Sequence, residues 1–176
     1  KIKKDGKLPK IVVPVHFSGQ SCDMQEIHSL SKEYGFCIIE DAAHAFGSQY
    51  SCGSPVGSCK HSDMTTFSFH PVRNICAGEG GAITTNSKSL YNKLIMLRTH
   101  GITKNQEDFT DLSQAMENNK VKPWYYEMQH LGMNYRLSEI HAALGISQIN
   151  KISFFKSSKK AVAQIYDEAF KNTPGI

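Results

Sequence analysis

Three groups of polar residues in this sequence are candidates for catalysis or ligand binding. Asp41 comes directly after the apolar run Phe36–Glu40 (FCIIE). A carboxylate beside a low-dielectric core is costly unless a cationic group meets it, so Asp41 is a candidate partner for a positively charged ligand. His44 stands among small residues in EDAAHAFGS, which would let a flat ligand approach closely. Two simpler interpretations stay open: Asp41 caps the next turn, and His44 packs near the core.

The second group lies in the segment FSFHPVRNICAGEGG. Ser68 and His70 fall at or just past the end of a predicted strand, and Arg73 follows three residues after His70. The glycines of Gly78–Gly81 (GEGG) allow a tight reversal of the chain. The segment matches neither the G-x-G-x-x-G pattern nor a Walker loop, so we exclude dinucleotide and P-loop sites of those types.

The third group is Asn134 and Arg136, which come just before a predicted helix at 137–149. An amide donor and a guanidinium near a helix N-terminus suit an anion such as phosphate. The alternative interpretation is a surface turn in which Asn134 caps the helix.

The elements that must position the first group form a strand–helix–strand unit. Ile11–Val15 (IVVPV) is a short run rich in β-branched residues, typical of a buried strand. Asp23 with Glu26 three residues later predicts a capped helix start, and Gly35 predicts the helix end. Strands in such a unit are parallel, and ligands bind beyond the carboxyl ends of parallel strands, where Asp41 lies.

The rest of the chain predicts an α/β fold. We predict strands at 64–69 and 82–86, helices at 87–98, 137–149 and 152–170, and a long irregular loop at 102–123. Ile140 and Leu144 are expected to face the core because they share one helical face. We interpret residues 1–150 as one domain and residues 151–176 as a helix leading toward a C-terminal small domain that this chain lacks.

Composition excludes several classes of protein. The chain has 176 residues, of which 40% are hydrophobic and 20% charged, with a net charge of +4. These values are typical of a globular domain and not of disordered, collagen-like or disulfide-framework chains. Five of the first ten residues are lysines, but no aromatic residue interleaves with them. We therefore expect a solvated lead-in and neither a nucleic-acid nor a membrane partner.

The five cysteines are weaker evidence for a functional site than the three groups of polar residues. Cys37 lies inside an apolar run and is expected in the core. Cys52, Cys59 and His61 could in principle bind zinc, but their spacing fits none of the usual paired patterns, so we expect no metal site. Reduced thiols in a cytoplasmic protein are the simpler interpretation.

Four ordered motifs resemble one family over residues 11–166. EDAAHAFGS, FSFHPVRNICAGEGGAITTN, RTHGI and GMNYRLSEIHAALG are similar to the DegT/DnrJ/StrS family of nucleotide-sugar aminotransferases, which are fold-type I pyridoxal-phosphate (PLP) enzymes. VPVHFSGQSCDM and WYYEMQHLGMNYR further resemble the branch that makes UDP-4-amino-4,6-dideoxy-N-acetyl-β-L-altrosamine for pseudaminic acid. The resemblance implies the central part of the family's large domain, with a mostly parallel sheet flanked by helices.

The resemblance also implies roles for the candidate residues. Asp41 would pair with the protonated pyridine nitrogen of PLP, and His44 would lie against the ring or its phenolic oxygen. Ser68 would hold the cofactor phosphate. Asn134 would reach the phosphate of a neighbouring subunit in a homodimer, and Arg136 would support that region. Glutamate would be the amino donor and a UDP-4-keto-6-deoxy-N-acetylhexosamine the acceptor.

Arg73 departs from the family pattern. In the family's S-F-H-x-x-K motif, the position of Arg73 is the lysine that forms the Schiff base with PLP. A guanidinium keeps its proton, with a pKa above about 12, so it is a poor nucleophile and a poor base. Two functions therefore stay open: an aminotransferase, as a fragment or degenerate copy, or a catalytically dead homologue that serves as a binding or assembly module.

Overall fold

The computed structural model describes residues 6–175, so Lys1, Lys3 and Lys4 of the basic lead-in lie outside the described residues. The chain forms two compact units. The first unit contains the residues up to Thr84 together with those from Leu137 onward, and the second unit is Thr85–Arg136. The predicted division at residue 150 stays a prediction.

A four-stranded sheet forms the centre of the first unit, in the order β1-β2-β3-β4. Its first three strands are parallel, and the fourth pairs antiparallel with the third, which confirms the predicted α/β class. The strands are β1 (Ile11–Val12), β2 (Cys37–Asp41), β3 (Met64–Ser68) and β4 (Gly81–Thr84). Strand β1 is shorter than predicted because Pro14 has no N–H for the ladder, although Val15 still bridges to Asp41.

Helix α1 (Met24–Tyr34) has the ends that the sequence predicts. The Asp23 carboxylate accepts a hydrogen bond from the Glu26 N–H at 3.2 Å, which satisfies one of the unpaired donors of the first turn. Gly35 ends the helix in the left-handed conformation with a φ of 72°. Local chemistry alone therefore accounts for both ends of α1.

The core of the first unit consists of two hydrophobic clusters around the sheet. Their buried members are Met24, Ile38, Ala42, Ala45, Tyr50 and Val56 in one cluster, and Phe69, Ile75 and Ala77 in the other. Strand β2 buries Ile38 and Glu40, whereas Cys37 is exposed. The expectation that Cys37 lies in the core was wrong, because successive side chains of a strand point to opposite faces.

Two helices follow in the same unit, α4 (Glu139–Ile149) and α5 (Ile152–Phe170). The Ser138 hydroxyl caps α4 by accepting from the His141 N–H. The prediction that Ile140 and Leu144 face the core was wrong, since they are 82% and 42% exposed. Gly145 is the buried residue of α4, and a Cβ built on it would lie 3.6 Å from the Ala77 Cβ, so small residues form the contact.

The second unit contains the segment for which we predicted an irregular loop. Its elements are α2 (Lys88–Arg98), β5 (Ile102–Thr103), α3 (Leu112–Ala115), β6 (Met116–Glu117), β7 (Lys120–Val121) and β8 (Glu127–Met128). Strand β5 pairs with β8, and β6 pairs with β7, both antiparallel. Helix α2 begins one residue later than the predicted Ser87, because the Ser87 hydroxyl caps the helix by accepting from the Leu90 N–H.

The Glu127 carboxylate organises this segment, which explains why the loop prediction was wrong. It accepts hydrogen bonds from the backbone N–H groups of Thr110 and Asp111 at 2.7 and 2.9 Å. The Thr110 and Tyr125 hydroxyls also donate to it. These bonds, the backbone ones first, lower the pKa of Glu127 to about 2. The sequence alone does not reveal this hydrogen-bond network, since its partners are up to 17 residues apart.

Within the part of the chain that the structure describes, no helix combines the length and the apolar character needed to cross a bilayer.

Candidate functional site

The carboxyl ends of β2 and β3 bring Asp41 and Ser68 to one edge of the sheet, as the parallel arrangement predicts. Asp41 is in register with Thr66 on β3, and Ser68 follows two residues later at the end of that strand. On the other side, the Asp41 N–H donates to the Pro14 carbonyl at 2.9 Å. The backbone of Asp41 is therefore held between two neighbouring chain segments.

The Asp41 side chain fits two of the roles that the sequence left open. Its Oδ1 accepts a hydrogen bond from the Ala43 N–H at 3.0 Å, which caps the turn after β2. Within residues 6–175, its Oδ2 has no hydrogen-bond partner, and the residue is half-buried. The same carboxylate can therefore cap the turn and still accept a hydrogen bond from a ligand.

His44 is half-buried, and a turn that the sequence analysis missed holds its ring. The Ser18 N–H donates to His44 Nδ1 at 3.2 Å, and the Phe17 ring lies 5.6 Å from the imidazole between centroids. Because Nδ1 accepts, the neutral imidazole carries its proton on Nε2, which can donate to a ligand. The only sequence signal for this turn is Gly19, whose φ is 88°.

The segment after β3 places Ser68 and Arg73 differently. Ser68 Oγ accepts from the His70 N–H at 3.4 Å and is half-buried. Arg73 Nε is buried without a hydrogen-bond partner among residues 6–175. Arg73 lines a cavity of about 340 Å³ that Lys159 also lines, whereas none of Asp41, His44 and Ser68 does. The structure therefore brings Asp41 and Ser68 to one sheet edge and places Arg73 and Lys159 along one cavity.

Asn74 links that cavity to the His44 segment and was not among the predicted site residues. Its Nδ2 donates to the carbonyl oxygens of His44 and Phe46 at 3.3 and 3.0 Å. Its Oδ1 accepts from Lys159 Nζ at 2.7 Å. Asn74 therefore fixes the backbone that carries His44, although no local pattern in the sequence distinguishes it from a surface asparagine.

Asn134 and Arg136 belong to the second unit, and both are exposed. Asn134 forms an isolated antiparallel bridge with Thr99. The alternative that Asn134 caps the following helix was wrong, because Ser138 provides that cap. The exposed amide and guanidinium remain candidates for binding an anion.

Glu40, which the sequence analysis passed over, is the centre of a buried polar network. The residue is 0% exposed, and its carboxylate accepts hydrogen bonds from His16 Nε2 at 2.7 Å and from the Thr65 hydroxyl at 2.9 Å. The Tyr50 hydroxyl donates to both oxygens, at 2.9 and 2.8 Å, and the Ser62 hydroxyl donates as well. Four side chains from distant parts of the sequence thus meet at one carboxylate.

The proton positions in this network follow from the donors. The Cys22 N–H donates to His16 Nδ1 at 3.2 Å, so Nδ1 carries no proton and Nε2–H donates to Glu40. Burial by itself raises the pKa of Glu40, but the hydrogen bonds from His16, Ser62, Tyr50 and Thr65 outweigh it and hold the pKa below its ordinary value. Burial and the adjacent Glu40 raise the pKa of Tyr50, so the phenol remains a donor.

Among residues 6–175, no group of three or more His, Cys, Asp and Glu side chains is arranged to hold a metal ion.

Comparison with known proteins gives a consistent result. A model of the DegT/DnrJ/EryC1/StrS aminotransferase family matches residues 2–176. A UDP-4-amino-4,6-dideoxy-N-acetyl-beta-L-altrosamine transaminase from Campylobacter jejuni is 40% identical over 157 residues, which is 89% of this chain and 37% of that protein.

Solved structures agree with the sequence comparison. Helicobacter pylori PseC, described as an aminotransferase involved in the biosynthesis of pseudoaminic acid, has a TM-score of 0.79 and 31% identity over 92% of this chain and 38% of its own. Spr1654 from Streptococcus pneumoniae in its PLP form has a TM-score of 0.71 and 26% identity, over 93% and 42% of the two chains. This chain therefore spans about two fifths of the length of these proteins.

Glu40→Gln should destabilise this chain at neutral pH and reduce the pH dependence of its stability. The pKa of Glu40 in the fold lies below its ordinary value of 4.5, so the ionised carboxylate stabilises the fold at neutral pH. That contribution disappears as the pH falls below about 4.5. Hydrogen bonds to a charged group contribute about 1.5–3 kcal/mol, so we expect a loss of about 2 kcal/mol or more at pH 7.

Urea unfolding at pH 7 and near pH 3.5 measures this effect. The difference in unfolding free energy between the original chain and Glu40→Gln should narrow at the lower pH. The exposed Glu107→Gln is the control and should stay within about 0.5 kcal/mol at both pH values. An equal difference at the two pH values would show that folding does not lower the pKa of Glu40.

Proposed function

Because this chain belongs to the DegT/DnrJ/EryC1/StrS aminotransferase family, we propose that it carries part of a PLP site for sugar-nucleotide transamination. The reaction would move an amino group from glutamate to C4 of a UDP-4-keto-6-deoxy-N-acetylhexosamine in the cytoplasm. The observation that carries the proposal is the meeting of Asp41 and Ser68 at the carboxyl edge of β2 and β3. The Campylobacter relative, named as an altrosamine transaminase, supports the choice of sugar.

The described residues fit the cofactor in three respects. Asp41 Oδ2 lacks a partner within residues 6–175, so it can accept the pyridinium N–H and balance its charge. His44 has its Nε2–H available to donate to the ring oxygen. Ser68 has a hydroxyl at the strand end that can donate to the phosphate. PLP, when bound, supplies the electron sink for the amino transfer, and these residues would hold and orient it.

Arg73 favours a second candidate function, a homologue that binds the cofactor without transaminating by itself. The resemblance assigns this position to the lysine that joins PLP, and a guanidinium provides no neutral amine. Arg73 Nε is buried without a partner among residues 6–175, and the side chain lines a cavity that Lys159 also lines. Under this alternative the chain would serve as a binding or assembly module.

We also propose a homodimer in which Asn134 reaches the neighbouring subunit's cofactor phosphate and Arg136 supports the same region. Both residues are exposed and carry the donors that a phosphate needs. The residues around them include Leu131 and Tyr135, which are 88% and 71% exposed. Large apolar side chains at such exposure support the proposal that this segment faces another chain.

Asp41→Asn should weaken PLP binding about tenfold or more. The variant retains an Oδ1 for the Ala43 N–H but loses the negative charge, and a hydrogen bond to a charged group contributes about 1.5–3 kcal/mol. Absorbance titration with PLP measures the affinity. Asp23→Asn is the matched control, because asparagine caps a helix as well as aspartate does, and its affinity should not change. Equal affinities for Asp41→Asn and the control would remove Asp41 from the site.

Arg73→Lys should allow a covalent bond between the chain and PLP. After incubation with PLP and reduction with borohydride, peptide mass spectrometry should find a PLP adduct at position 73, because a lysine amine can attack the aldehyde. Arg98→Lys is the matched control for nonspecific modification of a new lysine and should show no enrichment. If Arg73→Lys is folded and binds PLP but carries no adduct at position 73, the alignment of Arg73 with the family's lysine is wrong.

Light scattering should show a dimer of this chain at tens of micromolar. Leu131→Glu should shift the mass toward the monomer, because it places a charge in the proposed interface. The control Leu112→Glu changes a leucine that is 53% exposed in the same unit and should leave the mass unchanged. A folded monomer for the original chain would contradict the dimer proposal for this chain.

A further inference from the structure

Three ionisable side chains that the proposed function does not use form a cluster in the loop that joins β2 to β3. They are Cys52, Lys60 and His61. The Cys52 thiol is exposed. Its Sγ lies 3.8 Å from His61 Nε2 and 3.8 Å from Lys60 Nζ. The Ser54 hydroxyl lies 3.6 Å from the same sulfur. The thiol therefore has an imidazole and an ammonium within contact distance while it remains open to solvent.

A tight turn presents Cys52 at its tip. Gln49 bridges to Pro55, and the Tyr50 N–H donates to the Ser54 carbonyl at 2.9 Å. Gly53 completes the turn with a φ of 80°. The backbone around the thiol is thus defined by hydrogen bonds, so its distance to His61 does not depend on a loose loop.

His61 is also held in place from behind. Its ring makes edge contacts with the rings of Tyr50 and His28, at centroid distances of 5.6 and 5.8 Å. His28 Nδ1 lies 3.1 Å from the His61 carbonyl oxygen. Tyr50 is itself anchored by its hydrogen bonds to Glu40. The imidazole that faces Cys52 is therefore positioned by the core of the first unit.

These neighbours favour the ionised form of the thiol. The hydrogen bond with His61 is the largest cause, followed by bonds from Ser54, and Lys60 adds an attractive charge. Together they lower the pKa of Cys52 to about 6. The ionisable side chains that face the sulfur are thus His61 and Lys60, with His28 and Tyr50 behind His61. The thiolate is the form of cysteine that attacks electrophiles.

We propose that Cys52 is an oxidation site, at which hydroperoxides form a sulfenic acid that small thiols then convert to a mixed disulfide. In the first step the thiolate sulfur attacks one peroxide oxygen, so an S–O bond forms and the O–O bond breaks. The leaving group is hydroxide for hydrogen peroxide and an alkoxide for an organic hydroperoxide, and it takes a proton to become water or an alcohol. The sulfur is oxidised by two electrons and the peroxide is reduced. In the second step a thiol such as glutathione forms the S–S bond, and water leaves. This chemistry needs no PLP and is independent of the proposed function.

Cys37 provides an internal control. Its thiol is also exposed, and no side chain within residues 6–175 hydrogen-bonds to its sulfur. At pH 6.5 a thiol of pKa about 6 is about 75-fold more ionised than one of ordinary pKa, about 8.5. Its thiolate is also a weaker nucleophile by about tenfold, since nucleophilicity falls with pKa. The net advantage at pH 6.5 is therefore about sevenfold, and it reverses above about pH 7.5.

Two measurements on the intact chain test the proposal. The first is the rate of iodoacetamide labelling from pH 5 to 9, read by peptide mass spectrometry for Cys52 and Cys37 separately. The Cys52 profile should have its midpoint near pH 6, and His61→Gln should move that midpoint upward by at least one pH unit. Lys60→Gln, at an exposed position, should move it upward by less. His130→Gln is the matched control and should not move it.

The second measurement is dimedone trapping after brief exposure to hydrogen peroxide at pH 7. The Cys52 peptide should carry several times more dimedone than the Cys37 peptide, and the excess should fall in His61→Gln. With glutathione in place of dimedone, the Cys52 peptide should gain the glutathione mass. Equal trapping at the two cysteines, or a Cys52 profile with its midpoint above pH 8, would overturn the proposal. If His61→Gln does not fold, the labelling profile of Lys60→Gln tests whether the neighbouring positive charge lowers the pKa of the Cys52 thiol.

Discussion

The buried Glu40 carboxylate is the constraint on which the arrangement around the candidate site depends. Its oxygens accept hydrogen bonds from His16, Tyr50, Ser62 and Thr65, which stabilise the ionised form. An ionised group in the core is tolerated only when its oxygens are well hydrogen-bonded. The segment before α1, the loop after β2 and strand β3 must therefore all be in place for this carboxylate to stay ionised. The same segments position the Phe17–Gly19 turn against His44 and the turn that bears Cys52.

Glu40 and Asp41 are adjacent carboxylates with different roles, and the geometry of the strand separates them. Successive side chains point to opposite faces, so Glu40 enters the core while Asp41 is half-buried at the sheet edge. Glu40 uses both oxygens on internal donors, whereas Asp41 uses Oδ1 on the Ala43 N–H. One carboxylate thus stabilises the fold, and the other has an oxygen left for a ligand.

Under the proposed function, the residues that would hold the cofactor differ from the residue at position 73, which would react with it. The groups at the sheet edge need only donate or accept hydrogen bonds, which Asp41, His44 and Ser68 can do. The family's lysine position needs a neutral amine, and arginine retains its proton at any physiological pH. The Arg73 side chain lines a cavity together with Lys159, so two cationic side chains border the same space. Under the proposed alignment, cofactor binding and amino transfer would therefore depend on different residues.

The sequence by itself determined the elements whose causes are local. The Asp23 cap and the Gly35 terminus depend on neighbours three or four residues away, and both were predicted. Helix α2 begins one residue after the predicted start at Ser87. The parallel strands also followed, and with them the place of Asp41 and Ser68 at one edge. Helix α5 also has the predicted bounds, Ile152–Phe170.

Only the tertiary structure decided the features that depend on partners far apart in the chain. The donors to Glu40 come from up to 25 residues away, and Lys159 reaches Asn74 across 85 residues. Ile140 is exposed although its spacing is typical of a buried face, because the small residue Gly145 forms the contact instead. Periodicity and capping patterns reflect interactions between residues within about one turn of the same helix. Hydrogen bonding of a buried charge, and the pairing of Cys52 with His61, depend on how the folded chain brings distant residues together.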